Sequence, residues 1–453
     1  MLIVVIWTCV ICIGIIFFQK SAGTLNPCKM NIVSISFYFI LFQTILGALL
    51  TSLGFIKHYT YIRLDDAEKF TQMGEIYSAL TFILFPIVIF TVLKIFKVNP
   101  KLDYDVYLKR KVDYEESKEY FIIILVAALV CSFFLIVLLK KIGYIPIIKM
   151  FFNNGMDLAL ERSKNVSLVI FEWEQIKNIL VLYAIPILSF ISFSFALVTN
   201  EIRWKILFVV LLIESILVKT YDFSKAPIVI YLAIMVLIVI YCKGSINHKI
   251  LTIAGVAGVF MLVFAYRLVG YSGSFFDIYN GILGRTIFTQ FGTLCMHFEA
   301  FTDYIGLLHG RSLYPTMLSI LGMNPESHVR SAEIVMEVYN PEGIYEGNAG
   351  VMNTLFIGEA YANWGIAGVI FSIVWVALVI AVVFTLFIKL RKTPITVSFF
   401  AILTQQLTTG IQGGFVDYIY NSSIIMTIVC MILLHYYPNI IKRVIHKYQK
   451  KEA

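Results

Sequence analysis

Long apolar runs separated by short polar stretches recur along the whole 453-residue chain. Residues 120–139 contain no charged side chain. An α-helix of about 20 apolar residues spans the roughly 30 Å hydrocarbon core of a bilayer. Runs of similar character lie at 2–18, 32–56, 76–96, 179–198, 206–218, 227–242, 250–266, 365–388, 395–411 and 422–437. The pattern therefore predicts about 11 transmembrane helices, with 10–12 as the range. The run 206–218 is short and contains Glu214, so it is the weakest of the set. The run 2–18 has the length of a signal peptide but neither a basic leader nor a small-residue cleavage site, and it is predicted to be a span. Two polar intervals are too long to be simple turns: 140–178, and 267–348 between spans eight and nine. No internal repeat, soluble domain or long linker interrupts the alternation. The expected fold is an all-α polytopic membrane protein, a single integral membrane domain over 1–453 with a first outer loop at 140–178 and a large outer loop at 267–348.

The composition agrees: 59% of residues are hydrophobic and 14% charged, against roughly half and a quarter in soluble domains. The few charges set the orientation. With an outside N-terminus, the inner segments hold 20 Lys and Arg in 72 residues and the outer segments 15 in 158. This is the asymmetry of the positive-inside rule. The tail 438–453, with Lys442, Arg443, Lys447, Lys450 and Lys451, is then a basic cytoplasmic tail facing anionic lipid. No basic stripe stands clear of the apolar runs, so a nucleic-acid partner is excluded. The loop 97–119 balances six bases with six acids and reads as a solvated cytoplasmic segment. Of the seven cysteines, five lie in spans, and Cys9-x-x-Cys12 in an apolar helix reads as packing. Neither a disulfide nor a metal site is predicted.

The large loop is where chemistry is expected. It carries Arg267, Arg285, Arg311 and Arg330 and no lysine, in a chain that otherwise favours lysine. Arginine presents a planar fork suited to phosphate or carboxylate, which lysine does not. An outer-face site for phosphate or diphosphate is one reading. Ion pairing with the loop's eight acidic residues, such as Glu299 and Asp303, is the other. Arg162, on a short predicted interfacial helix in the first outer loop, joins the set if that loop covers the same cavity. The stretch 278–301 is apolar enough to lie in the interface as an amphipathic helix. His297, His309 and His328 also sit in this loop. A carboxylate or histidine beside a desolvated phosphate can serve as general base. The boundary run from Lys219 through Asp222 to Lys225, and the polar cluster from Gln405 to Asp417, must face protein or a water-filled cavity.

Gly310-Arg-Ser-Leu-Tyr, Gly347-Asn-Ala-Gly-Val-Met-Asn-Thr, and Phe356-Ile-Gly-Glu-Ala-Tyr-Ala-Asn-Trp-Gly-Ile-Ala-Gly-Val369 together resemble the Wzy-type O-antigen or oligosaccharide repeat-unit polymerases of bacteria. The likeness covers roughly residues 219–390, with Trp364 where phenylalanine is commoner; the N-terminal half matches in layout only. Arg311 to Gly322 has the Arg-x10-Gly spacing of some members, and so does Arg63 to Gly74. The resemblance implies a metal-independent integral-membrane glycosyltransferase, similar to the GT-C-like enzymes, in the bacterial cytoplasmic (inner) membrane. Its large loop would be outside and its C-terminus cytoplasmic. It would join undecaprenyl-diphosphate-linked repeat units, donor to acceptor, into O-antigen or capsule without a cofactor. Membrane lipids, a chain-length regulator and a flippase would be its partners. Arg162, Arg267, Arg285 and Arg311 would bind the diphosphate, Glu299 or His309 would be the base, and Glu359 would orient the loop's return to the membrane. The alternatives are an O-antigen ligase or other lipid-linked glycan transferase, and a lipid-linked oligosaccharide flippase.

Overall fold

The computed structural model describes residues 2–114, 118–152, 158–170, 174–224, 226–268, 277–279, 281–345 and 350–435. The tail 438–453, Lys225 and the Gly347-Asn-Ala stretch lie outside the described residues. Among those described, the regular structure is helical. Eight helices are long and apolar enough to cross a membrane: Leu2–Lys29, Ile32–Ser52, Ala67–Ile95, Tyr120–Lys149, Lys177–Thr199, Ala226–Lys243, Phe356–Lys389 and Val416–His435. The three other expected spans also fall on helices. Ile202–Thr220 carries Arg203, Lys205 and Lys219 besides Glu214. Pro394–Gly410 has 17 residues, and the run 250–266 falls on the 21-residue helix His248–Leu268, of which His248–Phe260 is an apolar helix among the described residues.

The chain divides into two compact units. The first comprises Met1–Val106, Gly273–Lys389 and Gln406–Ile425; the second comprises Tyr107–Ser272, Leu390–Gln405 and Met426–Ala453. In the first unit, Phe18, Phe37, Phe82 and Phe85 form an aromatic core, with Phe18 to Phe82 centroids 5.3 Å apart. Fully buried rings of this kind supply much of the packing energy where lipid removes the usual hydrophobic drive between helices. Asn31 closes a capping box with Ser34 and starts the helix at Ile32, satisfying backbone donors that lipid would leave unpaired.

The helix Ile282–Glu299 departs from the sequence expectation of an interfacial helix. Phe288, Phe291, Leu294, Cys295, Met296 and Phe298 are fully buried, and the helix packs on Ile32–Ser52, Ala67–Ile95 and Phe356–Lys389. Small residues cause this. A Cβ on Gly292 would stand 1.9 Å from Thr60 Oγ1, and one on Gly74 would stand 2.8 Å from Cys295 Sγ. Without those methyls the backbones approach closely, as in small-residue helix interfaces. The moment of the sequence revealed an apolar face; it could not reveal that protein, not lipid headgroups, covers it.

In the second unit, Tyr241 stacks on Phe400 at 4.5 Å and Phe195 on Trp204 at 4.2 Å. The buried Lys392 ammonium donates to the carbonyls of Tyr107, Leu108 and Arg110 at 2.8–3.3 Å. It thereby caps the C-terminal end of the helix Pro100–Lys109 with positive charge, where the helix dipole favours it.

Candidate functional site

Within the first unit, a cleft of about 530 Å³ is lined by Tyr59, Arg63, Arg285, Thr289, Gln290 and Asn340, among others. Two guanidinium groups thus share one opening, and among the described residues no carboxylate lines it. Arg285 projects from the first turns of Ile282–Glu299, is exposed, and has no side-chain partner among the described residues. Arg63 donates from Nη1 to the Tyr339 carbonyl at 2.9 Å and lies over the Tyr59 ring. The oxygens Thr289 Oγ1 and Gln290 Oε1 are buried and without a hydrogen-bond partner among the described residues. Buried polar atoms are ordinarily satisfied, so these two indicate a cleft built to meet something polar. Arg330 reaches its edge, donating to Asn353 Oδ1 at 3.1 Å.

Arg63 is held in place by Glu299. The Glu299 carboxylate is buried. Its Oε1 accepts the backbone N–H groups of Asp65 and Asp66, each at 3.0 Å, and its Oε2 accepts the Tyr339 hydroxyl. Burial, followed by this carboxylate, pushes the Tyr339 hydroxyl's pKa up, which keeps it a donor. The same tyrosine's carbonyl receives Arg63, so Glu299, Tyr339 and the turn at 63–66 form one closed hydrogen-bonded unit. With both oxygens engaged by fixed donors, Glu299 has the geometry of a cap rather than of the general base read from the sequence. Two variants separate these roles. Glu299→Gln keeps an acceptor oxygen for the two N–H groups and is expected to retain most activity. Glu299→Ala strands the buried Tyr339 hydroxyl and the two part-buried N–H groups and is expected to cost about 3 kcal/mol. Thermal unfolding in detergent, alongside the glycan polymerisation that the sequence resemblance implies, checks both; an inactive but fully stable Glu299→Gln protein would restore the base assignment.

The remaining sequence candidates are distributed as follows. His309 is exposed in a turn, with positive φ and its N–H bonded to the Asn363 carbonyl at 3.0 Å. Arg311 is exposed in the same turn, and its Nε donates to the Leu308 carbonyl at 3.3 Å. Neither lines the cleft. His297 is buried and its Nδ1 faces the Thr293 carbonyl at 2.8 Å; burial lowers its pKa to about 4. His58 is likewise lowered to about 4, by burial and then by Arg285. Both imidazoles are neutral at neutral pH and add no charge to that of the two arginines.

Arg162 and Arg267 belong to the second unit. Arg162, on the helix Leu158–Ser167, is exposed and stands 4.0 Å from Asp222. Asp222 also accepts the Ser224 N–H at 3.1 Å and hydroxyl at 2.6 Å. Arg162 is thus ion-paired, although to an acid outside the large loop. Neighbouring Glu161 gathers Tyr144, Lys149 and Lys164, which hold its carboxyl down to about 2. The side chain of Arg267 lies outside the described residues.

Glu359, Tyr361 and Asn363 each tie down a different segment. Glu359 is buried and accepts the Val416 N–H at 3.0 Å. The Tyr361 hydroxyl bonds Thr302 at 2.8 Å and its ring stands edge-on to Phe298. Asn363 accepts the Gly310 N–H at 3.0 Å and donates to Ser312 Oγ at 2.7 Å. The helix then breaks: Gly365 has φ 60° and ψ −144°, a conformation open only to glycine. The polar positions of this motif are thus brackets for three loops.

Sequence reasoning passed over Arg63 as a site residue. The available signal was its ten-residue spacing to Gly74, which the structure gives a physical sense: Gly74 and Glu299 fasten the two ends of that segment to the helix carrying Arg285. No family model, curated protein or solved structure matches the chain.

Proposed function

We propose that the protein is a membrane glycosyltransferase that polymerises undecaprenyl-diphosphate-linked oligosaccharide units into a surface polysaccharide on the outer face of the cytoplasmic membrane. The observation that carries this reading is the pair Arg63 and Arg285 on a cleft without a carboxylate among the described residues, in the region predicted to face outward. In such a reaction an acceptor hydroxyl attacks the anomeric carbon of the donor. The bond to the diphosphate oxygen breaks, its electron pair leaves on the diphosphate, and the hydroxyl proton passes to water. Two guanidinium forks oppose that developing charge. Buried Gln290 Oε1 and Thr289 Oγ1 are free to meet sugar hydroxyls. Among the described residues the lining holds neither carboxylate nor histidine, so the reading rests on charge neutralisation and not on a placed base.

A ligase acting on the same lipid-linked substrates would use the same charge arrangement, and a flippase would need only to bind it. Deleting the gene and resolving the surface glycan on a gel separates them. Loss of a polymerase is expected to leave one repeat unit on the anchor and no ladder. Loss of a ligase or flippase leaves the anchor undecorated. An unchanged ladder would exclude the polymerase reading.

A further inference from the structure

A second cavity, of about 540 Å³, lies where the helices Leu2–Ala22 and Ala67–Ile95 end and Pro100–Lys109 begins. It is lined by Lys20, Lys94, Lys97 and Lys101, with Phe90 as an apolar wall. All four lysines are exposed, and none is paired with a carboxylate among the described residues. The nearest acid on these elements, Asp103, is engaged in capping: its Oδ2 accepts the Asn99 N–H at 2.7 Å. Lys389 closes the back of the turn, donating to the Phe96 carbonyl at 3.0 Å.

The positive-inside rule explains lysines on this side of the membrane, but not their convergence on one concavity. Nor do local preferences explain two of the four. Lys97 has φ 55°, at a helix C-terminus where glycine is the ordinary choice. Lys101 sits in the first turn of Pro100–Lys109, where the helix dipole disfavours a cation. A bound anion would offset the unfavourable placement of Lys101 and give the Lys97 ammonium a partner. It would meet the lysine ammoniums and the positive end of that dipole together. Gly23, with φ 74°, makes the concavity possible: a Cβ there would stand 2.5 Å from the Pro100 carbonyl oxygen.

We propose that this pocket binds a phosphate group, carried by an anionic membrane lipid or by a free phosphate compound. The proposal is independent of the glycosyltransferase reading, since it concerns the predicted cytoplasmic face and other residues. Basic pockets between helices on that face suit anionic headgroups.

The full-length protein in neutral detergent, titrated with phosphatidylglycerol, phosphatidylcholine, inorganic phosphate and pyrophosphate while its unfolding temperature is followed, tests this. Wild type is expected to be stabilised by phosphatidylglycerol and not by phosphatidylcholine. Combining Lys20→Gln, Lys94→Gln, Lys97→Gln and Lys101→Gln should weaken that effect at least about tenfold, at roughly one surface-charge contribution per lysine. The pair Lys94→Gln and Lys97→Gln should give an intermediate loss. Lys29, Lys109, Arg110 and Lys111 remain to hold the inner segments inside. Stabilisation by phosphate or pyrophosphate that vanishes in the same variant identifies a free anion as the ligand; a response to phosphatidylglycerol alone identifies a lipid. An undiminished response in the four-lysine variant overturns the proposal. So does an equal loss in a control bearing Lys447→Gln, Lys450→Gln and Lys451→Gln.

Discussion

Arg285→Ala is expected to lower glycan polymerisation by about a hundredfold to a thousandfold, the usual effect of removing one donor that faces developing negative charge. Arg285 has no protein partner among the described residues, so its loss leaves nothing stranded and the protein level should stay normal. Arg63→Ala should cause a comparable loss of activity, together with mild destabilisation, because the Tyr339 carbonyl then loses its donor. Arg285→Lys should recover only part of the activity, since an ammonium supplies the charge without the two-pronged geometry. Arg311→Ala should be milder than either, because Arg311 sits outside the cleft against the Leu308 carbonyl. The ladder formed in cells, compared at matched protein levels, measures all four. If Arg311→Ala is silent and the two cleft variants are silent as well, the diphosphate site is refuted. If Arg311→Ala alone is inactive, the site lies at the 308–313 turn instead.

Gly292→Ala should destabilise the first unit by about 3 kcal/mol, the upper part of the range for overpacking a close contact. The added methyl would stand 2.6 Å from Thr60 Cβ as well as 1.9 Å from its Oγ1. A β-carbon cannot rotate away, so the helix or the segment carrying Tyr59 and Arg63 must move. Removing the opposing group should restore much of the loss: Gly292→Ala combined with Thr60→Gly should unfold at a higher temperature than Gly292→Ala alone. That non-additivity is the signature of a direct contact. Simple addition of the two single effects would show that Gly292 matters for another reason. Because this contact sets the spacing of Arg63 and Arg285, the single variant should also lose activity below its unfolding temperature.

The amino-acid sequence alone determined the class of fold. Runs such as 120–139 are too long and too apolar for a soluble core, and the sorting of lysines and arginines predicts an orientation through charge alone. Both are properties of segments, needing no partner in space. The sequence also singled out the large loop, through its change from lysine to arginine. It could not say what faces each residue within that loop. Glu299 and Arg311 stood out as charges, yet whether a charge is free depends on what faces it. The backbone donors of Asp65 and Asp66, more than 230 positions away, turn Glu299 into a cap.

Arg63 shows the converse. Its spacing to Gly74 is short and regular, but a spacing does not say which helix the segment lies against. Only the close approach at Gly74 and Gly292 brings Arg63 to the cleft that holds Arg285. The same holds for the lysines at the other end of the first unit, which are ordinary inner-face charges in sequence and a pocket in space. Hydropathy and charge sign are local and survive in a one-dimensional reading. Pairing, burial and convergence belong to the folded chain, because they are set by contacts between residues remote in sequence.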